Sequence, residues 1–137
     1  MRTFLCSFDN FSVAIPMQFV SSLALHTEGI YNEEHNNYVS LSRLLNLSSE
    51  NIRHNIILKN PDTEDDDTAQ NKTILFIPRV ECETEIPDEE IFPIPQSLSK
   101  TSFFTLFSGI LFDSKGALVL LLNAEQLIQI PQTGKTP

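Results

Sequence analysis

Apolar and polar residues alternate with a period of two along most of this chain, and that pattern restricts it to a fold of short strands. "TFLCSF" (3–8) and "FSVAI" (11–15) flank Asp9-Asn10, a pair suited to a tight hairpin turn. In the second stretch Phe11, Val13 and Ile15 share one face, which gives the hairpin a core side. Residues 16–25, "PMQFVSSLAL", continue as extended chain beyond Pro16, and the polar "HTEGIYNEEHNNY" (26–38) reads as a connection. "VSLSRLLNL" (39–47) reads as a strand end and then a helical turn, with Ser40 or Ser42 as its cap. "IRHNIILK" (52–59) and "KTILFI" (72–77) are strands joined by the acidic "NPDTEDDDTAQN". "FFTLFSGILF" and "ALVLLL" make a second hairpin across "DSKG", where Gly116 supplies a positive φ. "NAEQLI" is a short terminal helix, and "PQTGKTP" (131–137) a tail. Some eight strands with only short helices place the chain in the mainly β class, as a barrel or sandwich.

At 137 residues, 41% of them apolar, the chain is long enough to bury a core as one domain without disulfides. The formal net charge of −9, with no basic cluster, excludes an electrostatic grip on nucleic acid or anionic lipid. Cys6 and Cys82 both lie in alternating stretches and read as two buried free thiols in a reducing compartment. The first residues lack the continuous apolar run of a secretory leader, and "ALVLLL" is too short to cross a bilayer. The expected setting is therefore cytoplasmic.

"PRVECETEIPDEEIFPIP" (78–95) holds six carboxylates and four prolines. Strict alternation there puts Val80, Cys82, Thr84 and Ile86 on one face and Arg79, Glu81, Glu83 and Glu85 on the other. Alternate side chains on a strand stand about 7 Å apart, too far for three carboxylates to share a small cation, so the acids read as a wet outer face. Asp62, Glu64 and Asp66 have calcium-loop spacing, but Asp67 stands where the turn glycine belongs and Thr73 where the bidentate Glu belongs. No nucleophile elbow, metal-spaced histidine pair or glycine-rich phosphate loop occurs, so neither catalysis, a metal nor a cofactor is expected.

Taken in order, four stretches resemble the CheW-like domain, the adaptor fold of bacterial chemotaxis arrays. They are "FLCSFDNFSVAIPMQFVSSL", "YVSLSRLLNL", "KTILFIPRVECETEIPDEEIFPIP" and "FFTLFSGILFDSKGALVLLLNAEQLI". The resemblance implies two intertwined, small five-stranded SH3-like β-barrels sharing one core over residues 1–130. It implies a non-catalytic adaptor whose partners are the regulatory domain of a histidine kinase and the cytoplasmic tip of a chemoreceptor. Val20 and Val80 match groove positions of the family, Ser22 falls where many members carry Glu, and Ile77 and Arg79 flank the second groove position. "IPDEEIFPIP" (86–95) matches the crossing between barrels.

The chain also departs from the family. The stretch before Tyr38 is short, no basic residue lies between Met17 and Arg43, and the family's arginine motif is absent. Ile77-Pro78 replaces the usual V-D, and Pro78 removes an amide donor, which predicts a bulge or an edge. An alternative is a small β-barrel that shares the plan and binds a different protein, or a small ligand or cation in the interior of one barrel or at the Glu81, Glu83, Glu85 face.

Overall fold

The Asp9-Asn10 turn closes the first hairpin. Strands β1 (Arg2–Ser7) and β2 (Ser12–Pro16) pair antiparallel from Thr3 against Pro16 to Ser7 against Ser12. The Phe8 amide donates to the Phe11 carbonyl at 2.8 Å, and the two rings stack with centroids 5.3 Å apart. In the computed structural model the described residues are 1–26, 36–47, 52–59, 72–101 and 104–128. The acidic loop at 62–67 and the tail at 131–137 lie outside them.

The chain divides into two compact units, each drawn from separated segments: Met1–Gln18 with Arg79–Ala124, and Phe19–Pro78 with Glu125–Pro137. The first unit is a five-stranded sheet. It adds β7 (Val80–Glu85), β8 (Phe107–Phe112) and β9 (Leu118–Leu122) to the hairpin, in the order β7-β1-β2-β9-β8. The second is a four-stranded sheet of β3 (Val20–Leu25), β4 (Asn36–Ser40), β5 (His54–Leu58) and β6 (Lys72–Ile77), in the order β3-β5-β6-β4. Both sheets are mixed, because β2 runs parallel to β9 and β4 parallel to β6.

Local chemistry explains the connections. Ser40 accepts from the Arg43 amide and starts α1 (Leu41–Leu44). Asp113 Oδ1 accepts from the amides of Lys115 and Ala117 at 2.8 and 2.9 Å, and Gly116 takes φ +82°, so the chain reverses from β8 into β9. A 3₁₀ turn at Met17–Phe19 interrupts the extended chain expected over 16–25, and another at Phe104–Leu106 precedes β8. The helices are short: α2 (Gln96–Ser99) and α3 (Ala124–Ile128). No helix among the described residues is long and apolar enough to cross a membrane.

Ala14, Ile86, Leu111, Val119 and Leu121 form a core cluster in the first unit, with Leu5 and Ile91 packed against it. Its central strand β2 is buried on both faces: Val13, Ala14 and Ile15 are all fully covered, whereas Phe11 is half-buried. The single core face expected of this strand is thus two. In the second unit Ile56, Leu75 and Val39 lie side by side across β5, β6 and β4, and all three are buried.

Two expectations require correction. Cys82 is exposed, and only Cys6 is buried. Leu5 faces Cys82 while Cys6 faces Val80, so Glu81 is an extra residue on β7, and this bulge breaks the alternation at the sheet edge. Residues 86–95 do not cross between units. Phe92 and Ile110 exchange two hydrogen bonds of 2.8 Å, which holds this stretch against β8, and the chain passes from one unit to the other after Pro78.

Candidate partner-binding surface

Two edge strands, β7 and β3, carry Val80, Val20 and Ser22, while Ile77 closes the interior strand β6 and Arg79 precedes β7. In the first unit β7 is an edge of the sheet, and among the described strands it pairs with β1. Val80 opens it, half-buried and opposite Cys6; Arg79, just before it, is exposed and its backbone bonds the Cys6 thiol. The glutamates that follow are exposed. Glu83 accepts from Arg2 at 2.7 Å and Glu85 from the Met1 amine at 3.1 Å. Two of the three outer carboxylates are thereby engaged with cationic groups of the same unit. Among the described residues no group of three His, Cys, Asp or Glu is placed to hold a metal ion.

In the second unit β3 is one edge of the described sheet and β4 the other. Val20 is half-buried and faces Leu58, and Ser22 is exposed and faces Ile57, with Ser21 bulged between them. Ile77 closes β6 opposite His54, which in turn faces Leu25. Val20 and Ile77 therefore lie at opposite ends of the sheet, with β5 between them. Ile77 is fully buried, so any contribution it makes is to the position of the strand end. Beside it, Asn55 is buried and its Oδ1 lies 2.9 Å from His26 Nδ1, while the Phe76 ring stacks on Tyr38 and meets His26 edge-on.

The first unit holds an open cleft of about 430 Å³ with an apolar floor of Leu5, Ile86, Leu111 and Val119. Glu85, Glu90 and Asp113 stand on its rim, and the ring of Phe112 beside it is 55% exposed. Its lining comes from β1, the end of β7, the turn after it and the β8–β9 hairpin. No single stretch carries it, and the exposed apolar Phe112 ahead of the "DSKG" turn is the one local signal.

No protein-family model matches the chain, and no curated protein sequence matches it. Among solved structures it is similar to the scaffolding protein TtCheW from Thermoanaerobacter tengcongensis. The two share 13% sequence identity with a TM-score of 0.63, over 96% of this chain and 89% of that one. At that identity the likeness establishes the fold: mainly β and CheW-like.

Proposed function

We propose that this chain is a divergent member of the CheW-like family, acting as a non-catalytic adaptor in chemotaxis-type signalling. It links the cytoplasmic tip of a chemoreceptor to the regulatory domain of a histidine kinase by protein–protein contact, in the cytoplasm. The observation that carries this reading is the structural likeness to a scaffolding protein along nearly the whole chain. Fold alone does not fix function, so the contact positions are argued from their own geometry. Val20 and Ser22 on the β3 edge, and Arg79 and Val80 at the start of β7, are the proposed contacts, with Ile77 supporting the β6 end from inside. Residues 1–130 are the adaptor domain in this reading, and 131–137 its tail.

The test is a calorimetric titration against the regulatory domain of a histidine kinase from the same cell. Saturable binding that weakens in Arg79→Glu, at an exposed position, supports the adaptor reading. Absence of binding at high concentration removes the kinase as a partner.

The cleft on the first unit favours a second reading, in which a small-barrel site takes an apolar ligand with a cationic group. Such a ligand raises the melting temperature with the logarithm of its concentration once that exceeds its dissociation constant, and a screen of apolar amines that leaves the midpoint unmoved argues against it.

A further inference from the structure

The cleft of the first unit lies beside a piece of strand whose outer backbone groups are unpaired. Ile110 exchanges two bonds of 2.8 Å with Phe92 on the outer side of β8, while the Asp113 amide donates across the hairpin to the Ala117 carbonyl at 2.9 Å. Backbone direction alternates along an antiparallel strand, so Phe112, two positions from Ile110, also turns its N–H and C=O outward. Among the described residues no backbone group bonds them, and residues 88–90, which would continue the pairing begun at Phe92, are coiled into a 3₁₀ turn. Within the first unit only residues 102 and 103 lie outside the described residues. They come before Phe107, at the other end of β8 from Phe112.

Side chains follow the same alternation. Phe112 is exposed, whereas Leu111 is buried and belongs to the floor of the cleft. A segment laid along Phe112 therefore sets one side chain against the exposed ring and the next one into the cleft. The rim carboxylates differ in what they already hold. Glu85 is bonded to the Met1 amine and Asp113 to the amides of its own turn. Glu90 is exposed and has no cationic partner among the described residues.

We propose that this cleft and the outer side of Phe112 bind an extended basic segment of another protein, in which an apolar residue adjoins a lysine or arginine. The segment pairs antiparallel with Phe112 through that residue's N–H and C=O and continues the line begun by Phe92. Its apolar side chain enters the cleft onto Leu111 and Val119, and its cation meets Glu90. Charge selects the occupant: carboxylates on the rim of a chain of net charge −9 repel a second copy or an acidic segment and attract a basic one. The open backbone groups select a peptide over a free amine, which has no peptide bond to offer Phe112. This occupant rests on the reading of the cleft as a binding site.

The test is a titration of the full, isotope-labelled chain with the capped peptide acetyl-GKLVKG-amide, at concentrations reaching about 1 mM. Saturable shifts at the Leu111, Phe112 and Glu90 amides are expected, with slower hydrogen exchange at Phe112. Two control peptides are expected to bind about tenfold more weakly or worse. One is acetyl-GELVEG-amide, with the charge reversed; the other is the basic peptide N-methylated at both apolar residues, which keeps its charge and loses the N–H groups. Glu90→Lys, at an exposed position, should raise the dissociation constant about tenfold and leave the melting temperature of the free chain unmoved. Phenethylamine, an apolar amine without a peptide bond, separates the two ways of failing. Shifts with phenethylamine but none with the basic peptide overturn this proposal and leave the amine reading standing, and no shift with either removes both. Equal binding of either control peptide, a Phe112 amide indifferent to the basic peptide, or a Glu90→Lys chain that binds it like the parent would also overturn the proposal.

Discussion

Burial raises the Cys6 thiol from an ordinary value of 9.0 to about 11, the Glu81 carboxylate adds to the rise, and a hydrogen bond from the Arg79 backbone opposes it. Between those values the unfolded chain has lost the thiol proton and the folded chain has kept it. Stability contributed by the protonated thiol is therefore complete below pH 9 and is lost as pH climbs toward 11, by roughly 2–3 kcal/mol. Urea midpoints across that range should fall in the parent, and the part of the fall owed to this thiol should vanish in Cys6→Ala. Exposed Cys82 should react promptly with a disulfide reagent in native buffer while Cys6 waits for unfolding. A second residue-scale expectation concerns Gly109, where an added Cβ would stand 2.6 Å from Ile91 Cγ2 and 3.2 Å from the Phe92 carbonyl oxygen. Gly109→Ala should lower stability by about 1–3 kcal/mol, as overpacking does, by prising residues 91–92 off β8. The sequence made Cys6 legible as a core thiol because it lies in an apolar stretch of β1, two positions from buried Phe4 on the same face. It misled at Cys82, because a bulge is one extra residue on one strand and alternation cannot report it until the partner strand is known.

Elements whose signals are local were readable. The Ser40 cap, the Asp9-Asn10 turn and the Asp113–Gly116 reversal each depend on residues within four positions of one another, and each formed where its residue types demand. The reversal makes a direct prediction. Asp113→Ala leaves the amides of Lys115 and Ala117 without their acceptor and should destabilise by about 1 kcal/mol, less if water replaces the carboxylate at this exposed turn. Asp113→Asn, which keeps one acceptor oxygen, should recover most of the loss in a thermal melt. The Arg2–Glu83 pair is a useful contrast. Its side chains are 67% and 49% exposed, so Arg2→Ala should move the midpoint little, and a large shift would mean that β7 depends on this ion pair to stay on the sheet. What the strand patterns do not report is adjacency. Val20 and Ile77 match the first and third stretches of one family pattern, and β5 separates them in the sheet, because pairing is decided by contacts remote in sequence.

For the whole molecule, the strand order has consequences that neither unit's sequence segment reveals alone. β1 and β2 occupy the middle of the first sheet, between β7 on one side and β9 with β8 on the other. A fragment spanning residues 79–128 keeps the β8–β9 pair but lacks β1 and β2, to which β7 and β9 pair, and should give a collapsed, poorly dispersed amide spectrum. Adding a peptide of residues 1–18 should restore dispersion, and a fragment that is well ordered without it would show that the sheet has another stable pairing. The fold class and both hairpins were visible in the sequence; the apolar cleft was not, since its floor draws Leu5, Ile86, Leu111 and Val119 from four separate stretches. The central hairpin also imposes a schedule on synthesis. β2 is complete at Pro16, but its parallel neighbour β9 begins only at Leu118. At the usual 5–20 residues per second, the hairpin leaves the ribosome about five to twenty seconds before that neighbour exists. For that interval Val13, Ala14 and Ile15, buried on both faces of β2 in the finished sheet, stand open to the cell, so chaperone capture of the nascent chain should be strongest before β9 emerges.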